Sequence, residues 1–407
     1  MPLSRRQVYR RRRGMVFGGL GTALVAAFYL PFALLAPISP ATVARADVAA
    51  PTSAAASIAW PDYGASAIGA VGYDGVLASS GKTKALPMAS ITKVITALVV
   101  LQAKPLDVGE DGPTITTTAA DVALYNHYLA LNGSLAPVSA GLELSELQLL
   151  QLGLVHSANN YVATLVNWAF GSEDAFLPVA TQWLADNGLT STTIVEPTGI
   201  DPADVATASD LVALGKLALA NPVIAELAST ASIDIPGVGQ FDNTNELLGV
   251  DGVTGLKTGT LEDSGANLLF SADRSYGDTT VTVVGVVLGG ADHDSLDDDI
   301  LTLLDGVFAG FQEVSLTTAG TVYATATTAW GQSAELVAAT SATALVWSDT
   351  AITVDEQIDD ILTGAAGADV GDLDFTVGDD DYTVDLALGS ALEDPGAGWR
   401  LTHPFGR

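Results

Sequence analysis

The sequence predicts an α+β chain, in which one large domain mixes helices and strands and a smaller all-β domain follows. In the first three quarters of the chain, apolar residues recur with helical spacing in some segments and alternate as in strands in others. After about Leu316 the segments become short and alternating, as in β-hairpins. At 407 residues, the chain is long enough for two ordinary domains.

Several regions before residue 316 have the apolar spacing of helices. They are residues 86–102, a pair of patterns that meet near residue 157, residues 206–219 and residues 295–311. Pro87 would lie in the first turn of its helix, where a missing N–H costs nothing. Ser209 is predicted to be the N-cap of its helix, and acidic residues fill the first turn of the last one.

Strands are predicted between these helices and throughout the C-terminal region. Residues 66–80 form a strand, a glycine turn and a second strand, and further strands cover residues 252–260, 265–273 and 279–290. In the C-terminal region, hairpin-like alternation covers residues 321–329, 344–350 and 373–389. The longest helical pattern there is residues 356–364, so this region is predicted to be essentially all-β.

Charge is distributed very unevenly along the chain. All 47 acidic residues follow Ala46, whereas an arginine cluster between Arg5 and Arg13 precedes an uncharged run over residues 14–43. A surface this acidic repels polyanions, so nucleic acid is excluded as a partner. The arginine cluster should stay in the cytoplasm and direct the rest of the chain across the membrane.

The N-terminal run is compatible with two fates. Ala44-Arg45-Ala46 could serve as a small-residue cleavage site, which would make residues 1–46 a signal peptide. The run is also long enough to remain as a membrane anchor. Residues 47–57 are predicted to be a linker. The expected location is therefore extracytoplasmic, either anchored in the cell membrane or secreted to the cell wall.

Three short motifs are conspicuous in a chain with few lysines. Ser90 and Lys93 are three residues apart at the start of a predicted helix, where they share one face. Ser157 and Asn159 flank an alanine at a helix junction, and Lys257-Thr258-Gly259 lies in a predicted strand. An alcohol becomes a good nucleophile only when a base takes its proton. Lysine can be that base only when neutral, a state favoured by burial and by a nearby positive charge.

These motifs, in this order, resemble those of the serine-type D-alanyl-D-alanine carboxypeptidases, low-molecular-mass penicillin-binding proteins related to class A β-lactamases. Longer segments also resemble that family, among them LPMASITKVITALV and VEPTGIDPADVATASDLVAL. The resemblance implies the transpeptidase fold, an antiparallel sheet flanked by helices, over residues 58–315, with residues 316–407 as the β-rich domain. It also implies peptidoglycan stem pentapeptides as substrates, β-lactams as covalent inhibitors, and neither cofactor nor metal.

The resemblance further implies a role for each motif residue. Ser90 would be the acylated nucleophile and Lys93 its base, Ser157 would relay a proton to the leaving D-alanine, and Asn159 would orient Lys93 and the substrate amide. On the substrate-binding strand, Lys257 would provide electrostatics near the terminal carboxylate, and Thr258 would donate a hydrogen bond to it. Gly259 would leave the face of the strand open. The backbone N–H groups of Thr260 and Ser90 would form the oxyanion hole.

The chain departs from the family pattern at several positions. Asn160 stands where the family usually has Asp, and Thr260 and Leu261 stand where an aromatic residue or His and then Thr are frequent. The strand over residues 279–290 lacks the Arg that binds the terminal carboxylate in many members, which leaves Thr282 as the nearest polar candidate. The C-terminal amphipathic anchor common in the family is also absent. These departures concern substrate preference more than the nucleophile.

Two alternative functions are also compatible with these motifs. The first is a β-lactamase or DD-endopeptidase on the same machinery, and the second is a non-catalytic wall-binding homologue, which the intact motifs disfavour. A class A β-lactamase needs a glutamate to activate water, and Glu196 lies in roughly the right region. Gly199 and Ile200 replace the Leu and Asn of that pattern, so Glu196 is expected to be structural or solvent-exposed. His156, beside Ser157, is expected to pack or line the site.

Overall fold

The computed structural model describes residues 4–262 and 264–404. Its helices are α1 (Arg5–Leu35), α2 (Thr92–Ala103), α3 (Ala119–Ala130), α4 (Glu146–Leu154), α5 (Asn159–Phe170), α6 (Glu173–Asp186), α7 (Ala208–Ala220), α8 (Pro222–Ala228), α9 (His293–Ala309) and α10 (Gly396–Thr402), and a 3-10 turn covers Ala89–Ile91.

The strands follow in the same order along the chain. They are β1 (Thr42–Arg45), β2 (Ala65–Ala70), β3 (Ala78–Gly81), β4 (Leu86–Pro87), β5 (Thr114–Thr116), β6 (Glu143–Ser145), β7 (Val205–Ala206), β8 (Ser232–Ile235), β9 (Gly239–Asp242), β10 (Val253–Leu261), β11 (Gly265–Tyr276), β12 (Thr279–Gly290), β13 (Phe311–Thr317), β14 (Val322–Thr327), β15 (Ser333–Ala338), β16 (Ala342–Trp347), β17 (Ile352–Ile358), β18 (Asp369–Val377) and β19 (Asp380–Leu388). The chain divides into two compact units, Ser57–Ala309 and Met1–Ala56 with Gly310–Arg407.

The unit Ser57–Ala309 is built on a five-stranded antiparallel sheet with the order β10-β11-β12-β2-β3. Helix α7 packs on β2, β11 and β12, and Val284, Val286 and Leu288 of β12 share a core with α2 and α7. Alternate side chains of a strand point to opposite faces. Helix α9 packs on β11 and β12 but contributes no buried side chain to that core, so it covers the other face. The predicted antiparallel sheet flanked by helices is confirmed.

The start of α2 differs from the prediction. The sequence predicts a helix from Leu86, but Leu86 and Pro87 instead pair with β7 as strand β4. The chain then turns through Ala89, whose φ of 50° is uncommon outside glycine, into the 3-10 turn that carries Ser90. The uniform apolar run by itself predicts a helix. Its pairing partner, β7, lies far along the chain, so local spacing does not reveal the strand. Helix α7 is also capped differently, since Thr207 rather than Ser209 accepts the hydrogen bond from the Asp210 N–H at 3.2 Å.

The second unit contains a six-stranded antiparallel sheet with the order β1-β14-β15-β19-β18-β17 and the strand pair β13-β16. The predicted C-terminal all-β region is confirmed. The prediction of a helix over residues 356–364 is wrong, because residues 356–358 complete β17 and pair with β18. Backbone pairing with a neighbouring strand outweighs weak local helix propensity here. The sequence also gave no indication of β1 or of the short helix α10.

Helix α1 contains 31 residues and is, by length and composition, long enough to cross a membrane. Within it, Pro31 near the C-terminal end does not interrupt the helix. The structure groups the residues from α1 to Ala56 with the C-terminal strands, so the boundary of the larger unit lies at Ser57 and Ala309. The predicted linker, residues 47–57, therefore lies almost wholly in the second unit.

Candidate active site

Ser90 and Lys93 meet where the 3-10 turn joins α2. Lys93 Nζ lies 2.7 Å from Ser90 Oγ and donates a second hydrogen bond, also 2.7 Å, to the Thr198 carbonyl oxygen. The lysine is 1% exposed. Burial lowers the pKa of Lys93 to about 7, although the charges of Glu196 and Asp204 act in the opposite direction. Near neutral pH, much of this amine is therefore uncharged and can accept the Ser90 proton, as a general base must.

Ser157 and Asn159 lie at the junction of α4 and α5, on the buried side. Ser157 has a φ of 66°, a conformation that costs a non-glycine residue energy and is concentrated at functional sites. Asn159 Nδ2 donates to Thr198 Oγ1 at 2.9 Å. Next to it, Asn160 accepts from the Ala136 N–H at 3.2 Å and donates to the Ala136 carbonyl oxygen at 3.0 Å. An ionised Asp could only accept, so Asn suits this two-way contact.

Lys257 and Thr258 lie in β10, the edge strand of the sheet. Lys257 is 1% exposed, and burial lowers its pKa well below the usual value, with a further contribution from the positive charge of Lys93. The lowering of the Lys93 pKa by burial agrees with the sequence, and burial is the main cause at both lysines. Lys257 Nζ lies 3.4 Å from Thr244 Oγ1, which is 2.6 Å from Thr258 Oγ1.

Two glycines allow the backbone to approach the nucleophile closely. A Cβ on Gly259 would lie 2.8 Å from the Met88 carbonyl oxygen and 3.2 Å from the Ser90 nitrogen. A Cβ on Gly199, which has a φ of 77°, would lie 1.9 Å from the Ala89 carbonyl oxygen. The absence of a side chain at Gly259 thus also serves the packing of β10 against the turn that carries Ser90.

Thr260 is in contact with a residue for which no role was predicted from the sequence. Its Oγ1 lies 2.8 Å from Nε2 of His293, the first residue of α9.

Thr282 does not lie beside the substrate-binding motif of β10. Gly259 is opposite Asn267 on β11, which is opposite Leu288 on β12, so Thr282 is six residues away along that strand, about 20 Å at the rise of a β-strand. Thr282, the nearest polar candidate on this strand for the place of the missing Arg, is therefore too far along the strand to lie beside Gly259.

Glu196, which is expected from the sequence to be structural or solvent-exposed, is a buried residue that holds the Thr198 turn. It is 9% exposed, its Oε2 accepts from the Thr198 N–H and hydroxyl, both at 2.8 Å, and its Oε1 accepts from the Ile200 N–H at 2.7 Å. Glu196 is therefore structural and not solvent-exposed.

His156 packs as expected, with its ring centroid 4.2 Å from that of Phe241. Among the described residues, no group of three or more His, Asp or Glu is arranged to hold a metal ion.

Comparison with known proteins gives a consistent answer. The family model described as D-alanyl-D-alanine carboxypeptidase, peptidase S11, matches residues 64–292. The D-alanyl-D-alanine endopeptidase of Escherichia coli K12 is 30% identical over 232 residues, which are 55% of this chain and 69% of that protein.

Solved structures show the same fold. The D-alanyl-D-alanine carboxypeptidase structure from Mycobacterium tuberculosis H37Rv is 27% identical, covers 67% of this chain and 96% of its own, and has a TM-score of 0.52. Penicillin binding protein 5 of Haemophilus influenzae, 18% identical, covers 81% of this chain and 97% of its own with a TM-score of 0.57, which extends the likeness of fold beyond the larger unit. With the family model spanning more than half of its length, and with this fold, the chain belongs to the D-alanyl-D-alanine carboxypeptidase family of serine peptidases.

Proposed function

We propose that this protein is a serine-type D-Ala-D-Ala carboxypeptidase that removes the terminal D-alanine from peptidoglycan stem pentapeptides. The observation that carries the proposal is the buried Lys93 amine, 2.7 Å from the Ser90 hydroxyl with a pKa lowered to about 7. A nucleophile and a base in direct contact, with the base neutral near the working pH, are what acyl transfer by a serine requires.

The reaction would proceed through an acyl-enzyme. Ser90 Oγ attacks the carbonyl carbon of the penultimate D-alanine while Lys93 takes the hydroxyl proton. The C–N bond to the terminal D-alanine then breaks, and Ser157 relays the proton from Lys93 to the leaving amine. In the second half, the oxygen of a water molecule attacks the carbonyl carbon of the Ser90 ester, the ester bond to Ser90 breaks, and a proton from that water is delivered to Ser90 Oγ. Backbone N–H groups of Ser90 and Thr260 would stabilise the oxyanion, a contribution of roughly 3 kcal/mol per donor in other serine hydrolases.

Substrate binding would use the edge strand β10. An extended peptide can pair with an exposed sheet edge, which orients it through backbone hydrogen bonds. Lys257 and Thr258 would bind the terminal carboxylate, whose negative charge favours the protonated form of Lys257. Gly259 keeps the strand close to Ser90, and Asn159 would orient the substrate amide and Lys93.

Endopeptidase activity is the second candidate, because the Escherichia coli relative named as an endopeptidase is 30% identical over 232 residues. Both substrates are wall peptides outside the cytoplasm, which agrees with a largely apolar α1 whose first turns carry the arginine cluster. β-Lactams would acylate Ser90 in either case.

The two activities can be separated with the full chain in detergent. It is incubated with a stem pentapeptide and with a cross-linked dimer that lacks a terminal D-Ala-D-Ala, and the products are followed by mass spectrometry and by assay of free D-alanine. We expect release of D-alanine from the pentapeptide. Cleavage of the dimer without release from the pentapeptide would show an endopeptidase instead.

A further inference from the structure

The residues that follow α1 are built into the C-terminal β unit. Strand β1 pairs antiparallel with β14 over all four of its residues. The N–H groups of Ala41 and Ala46 extend this attachment, each donating to a backbone carbonyl of the unit at 2.7 Å. Val43 and Val48 pack against the hydrophobic core of the same unit. Residues 41–48 are therefore an integral edge of this fold.

The candidate cleavage sequence lies inside this strand, and the predicted linker is also attached. Arg45 donates to the Glu356 carbonyl oxygen at 3.0 Å and lies 3.5 Å from its carboxylate. Farther along, Gln312 Nε2 donates to the Ala54 carbonyl oxygen at 2.9 Å, and Ser53 Oγ donates to that of Ser348 at 2.5 Å. Cleavage after Ala46 would remove β1 and expose the backbone edge of β14, which an aqueous protein otherwise protects.

The C-terminal end of α1 is in contact with α10. Arg400 Nη1 donates to the Ala36 carbonyl oxygen at 3.0 Å, and Tyr29 OH donates to the Leu401 carbonyl oxygen at 2.5 Å. A cation at a helix C-terminus binds carbonyl groups that lack partners within the helix and is favoured by the helix dipole. Trp399 of α10 packs edge-on against Trp330, with ring centroids 5.8 Å apart. Tryptophan and tyrosine are enriched at membrane–water interfaces.

The exposed apolar surface of α1 indicates that its partner is a lipid bilayer. Large apolar side chains along it, such as Phe17, Leu20, Leu24 and Phe28, are each more than half exposed. The uncharged part of α1 together with Ala36, residues 14–36, would measure about 34 Å at the helical rise, which matches a hydrocarbon core of roughly 30 Å. The arginines lie at its other end, where they would face the cytoplasm.

We propose that α1 is retained as a membrane anchor and that β1 and α10 fix the C-terminal β unit at the outer surface of the lipid bilayer. The anchor and the β unit then form one structural element, because the same stretch of chain leaves the membrane and enters the sheet as its edge strand. The uncut chain keeps both the strand and the Arg400 contact, whereas a chain cut after Ala46 would have neither.

The fate of the N-terminus is tested directly in bacterial membranes. The full chain with a C-terminal tag is expressed in a bacterial host, the membranes are washed with alkaline carbonate, and the intact mass is measured. We expect the uncleaved mass in the washed membrane pellet. A released protein that begins near Asp47 and still resists protease in its β unit would overturn the proposal.

The role of β1 is tested by a matched pair of variants in the full chain. Val43→Asp places a charge on the packed face of β1, whereas Ala44→Asp places it on the exposed face. We expect Val43→Asp to accelerate proteolysis within residues 41–56 by about tenfold or more and Ala44→Asp to change it little, because cleavage follows local opening. Equal protease resistance of Val43→Asp and the wild type would contradict the attachment. Labelling by penicillin checks in both variants that the catalytic unit is folded.

A second, independent inference concerns Glu196 and rests on the proposed role of Lys93 as base. Glu196 holds Thr198 by its N–H and its hydroxyl, and Thr198 in turn contacts both Lys93 and Asn159. Asp204 lies beside Glu196: its Oδ1 accepts from the Val195 N–H at 2.6 Å, and its buried Oδ2 accepts no hydrogen bond from the described residues. Burial and then the Glu196 charge raise the pKa of Asp204 to about 8.

We infer that Glu196 is a positioning residue, whose three hydrogen bonds fix the Thr198 turn against Lys93 and Asn159 and which adds a negative charge to the surroundings of the Lys93 amine. A negative charge stabilises the ammonium form of a nearby lysine, so its removal should favour the neutral amine at lower pH. The other ionisable groups that interact with Glu196 are Asp204, Tyr128 of α3 and Glu173 of α6, and Lys257 interacts with Lys93 from β10.

The test is the rate constant of penicillin acylation as a function of pH. For Glu196→Gln we expect a lower plateau, by about tenfold, because the amide nitrogen that replaces one carboxylate oxygen cannot accept, so either the Ile200 N–H or the two Thr198 donors lose their acceptor. We also expect the rising limb to move to lower pH, because the charge has gone. Glu146→Gln, which removes a buried carboxyl of α4 outside the site, should leave plateau and limb in place.

The outcomes separate this inference from the proposed function. A lower plateau with an unmoved limb would contradict the electrostatic role, and an unchanged profile would contradict both roles of Glu196. A wild-type acylation rate that does not vary with pH would instead contradict Lys93 as the base, and the inference about Glu196 would fall with it.

Discussion

Replacement of Ser90 by alanine is expected to abolish covalent labelling by penicillin and to reduce D-alanine release by on the order of 10⁶-fold, the scale for loss of a serine nucleophile in another hydrolase. The physical reason is that no acyl-enzyme can form without the Ser90 oxygen, which lies 2.7 Å from the Lys93 amine in the wild type. Intact-protein mass spectrometry should show one adduct on the wild type and none on Ser90→Ala.

Ser275→Ala provides the control, since Ser275 is an exposed serine of β11 whose hydroxyl lies 3.2 Å from the Thr280 hydroxyl. It should label like the wild type. An adduct that persists in Ser90→Ala would place the nucleophile elsewhere. The wild-type adduct should survive for minutes or longer, because Glu196 is occupied by the three hydrogen bonds that hold the Thr198 loop and is not free to activate water.

The contacts within each motif could be predicted from the sequence because they depend on local geometry. Residues three apart at a helix start share a face, so the contact of Lys93 with Ser90 follows from spacing alone and is confirmed. Burial of Lys93 follows from the apolar run around it. The antiparallel sheet that carries Lys257 was predicted by alternation between turns and by resemblance to a family.

The contacts between motifs could not be predicted, because they join residues distant in sequence. Thr198 contacts Lys93, 105 residues away, and Asn159, 39 residues away, yet it belongs to none of the three motifs. His293 reaches Thr260 only because α9 begins where β12 ends. A glutamate before a Pro-x-Gly turn is the one local signal that marked the Thr198 loop, and alone it does not distinguish a water-activating group from one that holds the turn.

The errors in secondary structure have the same origin. Residues 356–358 have weak helical character and become a strand because β18 lies beside them. Residues 42–45 look like the end of a leader and become a strand because β14 offers them a free edge. In both segments the pairing partner, which local periodicity cannot see, decides the structure.

Lys93→Arg is expected to fold normally but to be acylated by penicillin at least ~100-fold more slowly, the typical scale for loss of a general base. An arginine side chain remains charged at every accessible pH, so it cannot take the Ser90 proton. The wild-type rate should rise with pH through about 7, because burial lowers the pKa of Lys93 to that value and only the neutral amine above it is a base. Lys93→Arg should lack this rise. Stopped-flow acylation at a series of pH values measures both effects.

Lys216→Arg is the control, because Lys216 is a partly buried lysine of the same unit, and it donates to the carbonyl oxygens of Tyr73 and Gly75 at 2.6 and 2.8 Å rather than to a nucleophile. An arginine can still donate there, so the rate and its pH dependence should be retained. A loss confined to Lys93→Arg then reflects the need for a neutral amine beside Ser90, a need that does not exist at Lys216. Near-wild-type acylation by Lys93→Arg would exclude Lys93 as the base, since a permanent cation next to Ser90 has no lone pair to receive its proton.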